Sequence, residues 1–251
     1  MQIIVAPTKK MVVNTNDFEI QGMPQYLDEA RKILAAMRQL DYPAAKSMWH
    51  CSDKLAQPNF DWLQQMDLDH QLTPAILSYT GIQYQYMAPD IFTAPALNYV
   101  QANLRILSGL YGILRPFDGV VPYRLEMQAK LTVTGQPNLY AFWGDKLYRT
   151  LNFTSGPVLN LASQEYAKTI TPFLKPKDQL VTVVFGSLVD GKLKTKATLA
   201  KMARGEMVRY LAEHDIHNIE GIKRFDHPDW HFDAERSTAQ KLVFINNERH
   251  H

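Results

Sequence analysis

Residues 104–127 read LRILSGLYGILRPFDGVVPYRLEM, a long apolar run that three glycines and two prolines cut into short pieces. No single helix or strand absorbs such a run, so the chain must turn inside it. Pro95, following Thr93 and Ala94, suits a first helical turn, where a missing N–H costs nothing. Val100, Leu104, Leu107 and Tyr111 then recur at helical spacing, which predicts a helix that Ser108-Gly109 ends. Gly112-Ile113-Leu114 restarts apolar structure, and Pro116, Gly119 and Pro122 lead down to Arg124. The turn Gly109-Leu110-Tyr111-Gly112 therefore sits among Arg105, Arg115 and Arg124. Glycine turns beside helix starts leave amides that bind phosphate. Arginine adds a forked contact for phosphate or carboxylate. The competing reading is a plain corner, with glycines for packing and arginines paired to Asp118 and Glu126.

The flanking sequence predicts a mixed α/β (α+β) fold. Residues 2–6 form a buried strand, and Lys9 falls just past its end, where ligands gather in open α/β sheets. Helices are predicted over residues 25–40 and 43–50, with Ser52 or Asp53 capping the next one. Thr73-Pro74 starts a further helical segment that Gly81 stops, and Tyr79, Tyr84 and Tyr86 are core and rim. Residues 139–151 read as one helix with Trp143-Gly144 inside it. Residues 157–162 are a short strand from which Ser163-Gln164-Glu165-Tyr166 opens a helix. Residues 179–185 are the clearest strand, turned back by Asp190-Gly191. A helix over residues 195–213 follows, then strand-like pieces at 222–225, 230–233 and 241–245. With no repeat and no linker, one domain over residues 1–251 is expected.

Charge narrows the partner class. The formal net charge is only +2, yet nine basic residues face three acidic ones between Lys168 and Arg209. Such a stripe attracts polyanions locally, although a solvated helix face has the same composition. No apolar run reaches the 18 or so residues that span a bilayer, and the N-terminal residues do not have the pattern of a signal peptide. The single cysteine, Cys51, fits a reducing cytoplasm and reads as structural. No membrane association, cofactor or resident metal is expected, and the protein is expected to be monomeric. His214, His217, His227 and His231 cluster near Asp226, Asp229 and Asp233. On a strand, however, residues four apart sit roughly 13 Å from one another, which argues against a metal site. His250 and His251 are left out of the functional reading.

Six blocks together resemble a known family. They are LRILSGLYGILRP at 104–116, PYRLEM at 122–127, FWGD at 142–145, NLASQEY at 160–166, SDKLA at 52–56 and KMARG at 201–205. In this order they are similar to the YaaA peroxide stress resistance proteins of bacteria, nearly end to end. The resemblance implies a single domain with a mixed sheet, surrounding helices and a helix–hairpin–helix element beside a basic cleft. It also implies binding to double-stranded DNA, including bubbled or damaged DNA, in a response that limits iron-dependent oxidative damage. Carried over, the hairpin is Ser108, Gly109, Leu110, Tyr111 and Gly112, and the cleft cations are Lys9, Lys54, Arg105, Arg115, Arg124, Lys168, Lys201 and Arg204. Ala6 stands where the family has a serine. Binding through backbone phosphate predicts little sequence preference.

A second hypothesis is an enzyme acting on a small phosphorylated or nucleobase ligand in the same cleft. Its catalytic candidates are Glu126, Glu165 and Lys201, with Ser163 and Tyr166 nearby. A deep pocket favours this reading, and a long open groove favours DNA.

Overall fold

The computed structural model describes residues 1–14 and 18–247; His250 and His251 lie outside them. The chain opens with β1 (Gln2–Val5), then α1 (Leu27–Arg38), α2 (Tyr42–Trp49) and α3 (Asp53–Gln65). Next come β2 (Thr73–Pro74), α4 (Ala75–Ser78), α5 (Ile82–Met87), α6 (Ala94–Asn103), β3 (Leu104–Ser108), β4 (Gly112–Leu114) and β5 (Gly119–Val120). After α7 (Leu139–Trp143) and α8 (Lys146–Thr150), β6 (Val158–Leu161) leads through α9 (Gln164–Ala167) to β7 (Leu180–Val189) and β8 (Lys192–Lys194). The long helix α10 (Ala197–Glu213) precedes α11 (Ile219–Lys223), β9 (Trp230–Thr238) and β10 (Lys241–Asn246).

The main sheet is eight-stranded, ordered β4-β3-β1-β6-β7-β10-β9, with β8 paired to β7. Its centre is parallel (β3, β1, β6, β7 and β10), and β4, β8 and β9 add antiparallel edges. Central parallel strands are covered on both faces and so read as continuous apolar runs. Ile3, Ile4, Val5, Leu159 and Leu161 are fully buried accordingly. Helix α1 lays Ala30, Ile33, Leu34 and Met37 on the core. Asp41 caps α2, its side chain accepting from the Ala44 amide at 2.9 Å. This confirms the mixed α/β class.

Several local readings need correction. The predicted helix–hairpin–helix over residues 104–113 is a β-hairpin, because α6 ends at Asn103 and the next residues pair with β1, Ile3 opposite Leu104. A short apolar run satisfies the helical and strand periods alike, and the open edge of β1 decides between them. Ser108 pairs with Gly112, whose positive φ of 75° closes the turn. The helix predicted over 139–151 splits into α7 and α8 at Gly144, where φ is +51°. The strand predicted at 222–225 is the end of α11, whose cap Asn218 accepts from the Gly221 amide at 2.8 Å. Thr73-Pro74 is likewise a short strand paired with β5 before α4 begins.

Candidate functional site

Strands β1 and β6 release the chain at one end of the sheet, and a cavity of about 450 Å³ opens there. After β1, residues 6–10 form one wall, and after β6, Ser163 precedes the short α9 that carries Glu165. Tyr140 holds α9 by donating to the Glu165 carbonyl at 3.0 Å. The extended segment that follows β5 brings Tyr123, Arg124, Leu125 and Glu126 across the opening. It is backed by the β3–β4 hairpin: a Cβ on Gly109 would stand 2.7 Å from the Leu125 carbonyl oxygen. Ser108 and Tyr123 share a hydroxyl hydrogen bond of 2.7 Å, and Tyr79 joins Tyr123 at 2.9 Å. The hairpin thus serves as a buttress.

The last wall is the crossing of α5 and α10. Gly205 permits it, since a Cβ there would lie 2.1 Å from the Gln83 carbonyl oxygen. That close approach sets Gln83, Lys201 and Arg204 on the cavity. The Tyr84 hydroxyl, donating to the Ala6 carbonyl at 3.1 Å, ties α5 to the end of β1.

The electrostatics are unusual for a stable core. Lys9 and Glu126 form an ion pair at 2.8 Å. The Glu165 carboxylate accepts from the Gln128 amide at 3.2 Å; burial raises its pKa above the ordinary carboxyl value, and the negative Glu126 nearby pushes the same way. Burial pushes the Tyr123 phenol up to about 12. Burial alone lowers Arg204, with no carboxylate among the described residues holding it up. Among the described residues, three buried side-chain nitrogens lack a hydrogen-bond partner: Trp49 Nε1, Gln83 Nε2 and Arg204 Nε. Two of the three belong to residues lining this cavity. Leaving a buried donor unsatisfied costs about 1–3 kcal/mol, more when it is charged. Folds keep such groups where something else offsets the cost.

Of the residues singled out from sequence, Lys9, Arg124, Lys201, Arg204, Glu126 and Glu165 converge here. Arg105 and Arg115 do not; they line a separate hollow of about 410 Å³ at the other end of β3. Arg115 donates through Nη2 to Asp118 at 2.9 Å, and Asp118 is 2 % exposed. Arg105 donates through Nη1 to the carbonyls of Gln101 and Leu104. Lys54 on α3 and Lys168 at the end of α9 are exposed and away from the cavity. Ser108, Gly109, Leu110, Tyr111 and Gly112 are buried, and the Tyr111 amide already donates to Ser108 Oγ at 2.9 Å. These amides do not face solvent, so the hairpin is no phosphate cradle. Thr8, Gln83 and Tyr123 complete the cavity without having been singled out. Tyr123 lies inside the PYRLEM block and was open to discovery there, whereas Gln83 carries no sequence signal. His227 pairs with Glu206 at 3.3 Å, His217 with Asp215 at 2.8 Å, and His231 bonds Asn247. Among the described residues, no group of three or more His, Cys, Asp and Glu is placed to hold a metal ion.

A mixed sheet with helices around it and a charged cavity beyond its parallel strand ends defines a mixed α/β protein. The chain belongs to the peroxide stress protein YaaA family, which matches residues 1–236. It is 64% identical to a UPF0246 protein of Lactiplantibacillus plantarum over 98% of this chain and 99% of the relative. A UPF0246 protein of Pediococcus pentosaceus is 54% identical over the full length of both chains. One from Lachnoclostridium phytofermentans is 48% identical over 99% of this chain and 97% of the relative. No helix among the described residues is long and apolar enough to cross a membrane.

Proposed function

We propose that this protein binds DNA through the phosphate backbone, as a cytoplasmic monomer, and that this binding is its part in peroxide resistance. The observation that carries the reading is the excess of cations along one cavity, where Lys9, Lys10, Arg124, Lys201 and Arg204 outnumber Glu126 and Glu165. Such a surplus of positive charge favours an anion. A second feature suits a long polyanion. Strand β7 runs past its pairing with β6 into the β7–β8 hairpin, where Lys192 and Lys194 are exposed; Lys196 precedes α10 and Lys201 lies on it. Among the described residues no carboxylate forms an ion pair with any of these four lysines. Of these, Lys201 lines the cavity, and the other three add exposed positive charge just before α10. Lysines and arginines reach phosphate without reading bases, so contacts to phosphate dominate and sequence preference is slight.

The test is titration of duplex, bubbled and single-stranded DNA across a salt series. Log affinity should fall against log salt by about 0.9 per phosphate neutralised on duplex. Binding that survives Arg124→Ala with Lys201→Ala at full strength would remove the cavity from the reading.

A further inference from the structure

The cavity holds more than a backbone receptor needs. On its α10 wall, Lys201 and Arg204 make no ion pair with a carboxylate among the described residues. On the strand-end wall, Glu126 is already engaged by Lys9, whereas the Glu165 carboxylate is held by the Gln128 amide and by no cation in direct contact among the described residues. Its raised pKa reflects burial first and the neighbouring Glu126 charge after it. A phosphodiester passing over the opening gains nothing from these carboxylates and is repelled by them. The two walls therefore ask for a ligand that is anionic at one end and rich in hydrogen-bond donors at the other. Apolar surface from Ile82 and Leu125 also lines the cavity. At about 450 Å³ the space falls within the roughly 300–1,000 Å³ of sites that enclose a small ligand.

We propose that the cavity encloses one unpaired nucleotide, its phosphate against Lys201 and Arg204 and the donor edge of its base against Glu165. The inference rests on the DNA reading above and adds that a nucleotide leaves the helix to be held. Glu165 is then the specificity-determining residue. Carboxyl groups accept from exocyclic amines such as that of cytosine, so bases with an amino group are favoured over thymine. Taking in an unpaired base avoids the cost of unstacking and unpairing it, so bubbled DNA is held more tightly than duplex at equal length.

The experiment uses the full chain and calorimetric titration with inorganic phosphate, deoxyribose 5-phosphate, and the cytidine and thymidine deoxynucleoside monophosphates. The cytidine nucleotide is expected to bind about ten-fold more tightly than deoxyribose 5-phosphate, in line with a single well-formed base-edge contact. It should compete with bubbled DNA. Glu165→Ala should erase that ten-fold preference while phosphate binding holds or strengthens, because a like charge has gone. Glu165→Gln, of the same size, shows whether folding is at issue: it should retain phosphate binding and melt with the parent. Arg204→Met should weaken every phosphate-bearing ligand together. If the nucleotide binds no better than deoxyribose 5-phosphate while duplex binding persists and depends on Arg124, the enclosed-nucleotide inference is overturned and the backbone reading stands. If nucleotides bind but no DNA does, the DNA reading falls and the cavity is a site for free nucleotides. If neither phosphate nor DNA binds, both fall.

Discussion

Two arginine sites stand at opposite ends of β3, and their chemistry differs although their sequences look alike. At one end Arg105 and Arg115 sit beside Asp118, which is buried and takes the Arg115 guanidinium at 2.9 Å together with the Arg115 amide at 2.8 Å. At the other, Arg204 meets no carboxylate among the described residues and has a buried Nε without a partner. The first site meets the hydrogen bonding of both guanidinium groups, Arg115 through Asp118 and Arg105 through carbonyls; the second leaves a guanidinium nitrogen unmet. A count of arginines near a glycine-rich turn cannot separate them, because the difference lies in what each guanidinium meets after folding.

The strongest way to break this contrast is a pair of double mutants. Arg124→Ala with Lys201→Ala should lower affinity for duplex DNA about 100-fold at low salt and flatten the log–log salt slope by about 1.8, two phosphate contacts' worth. Arg105→Ala with Arg115→Ala should leave both within about two-fold, since a distant charge acts only through a screened field. Equal losses in the two proteins, measured by fluorescence anisotropy, would mean that the open site has no special standing.

Stability should sort the two ends in the reverse sense. Asp118→Ala strands the Arg115 amide and guanidinium and should cost about 2 kcal/mol in urea unfolding, with DNA affinity unchanged. Arg204→Met keeps the volume, removes a mostly buried charge and should stabilise the fold by about 1 kcal/mol while binding is lost. A protein that becomes sturdier as it stops binding marks a residue kept for a ligand. Should Arg204→Met unfold more readily than the parent, its guanidinium is paired in a way the contacts do not reveal.

Much of this was legible in the sequence, and what was not has a physical reason. Strands β1, β6 and β7 announce themselves because buried parallel strands leave unbroken apolar runs such as QIIV and VLNL. The cavity residues Lys9, Glu165 and Arg124 were visible as polar groups beside strand ends and inside shared blocks. The β3–β4 hairpin was misread because LRILS at helical spacing from Val100 satisfies two periods, and only pairing with β1 chooses. Gln83 was invisible: its place depends on Gly205, 122 positions away in the chain, admitting the α5 backbone against α10. Separations of that kind are set by packing and leave no local trace.

The smallest expected effect concerns pH, and it bears on the open site alone. No histidine among the described residues lines the cavity, so the pH response there is sought at the Glu165 carboxyl, whose pKa is raised. Burial raises the Glu165 carboxyl above its ordinary 4.5, and Glu126 adds to the shift. The folded protein therefore holds that proton at pH values where the unfolded chain has lost it. It follows that this group's contribution to stability declines as pH rises from 4.5 through the folded value, the reverse of a salt-bridged aspartate. Binding follows the same sign. Protonation removes a negative charge from the cavity, and a pair of unit charges at close range in water repels by about 1 kcal/mol at most, a few-fold in affinity. Duplex DNA, whose phosphodiesters stay ionised as this carboxyl takes up its proton, should thus bind more tightly on the acid side of the Glu165 transition than on its alkaline side, by a few-fold at most. Glu165→Gln should remove the dependence and hold the tighter value at both ends, while Asp118→Asn leaves the profile of the parent. A slope that persists in Glu165→Gln would leave the Glu165 carboxyl with no part in it.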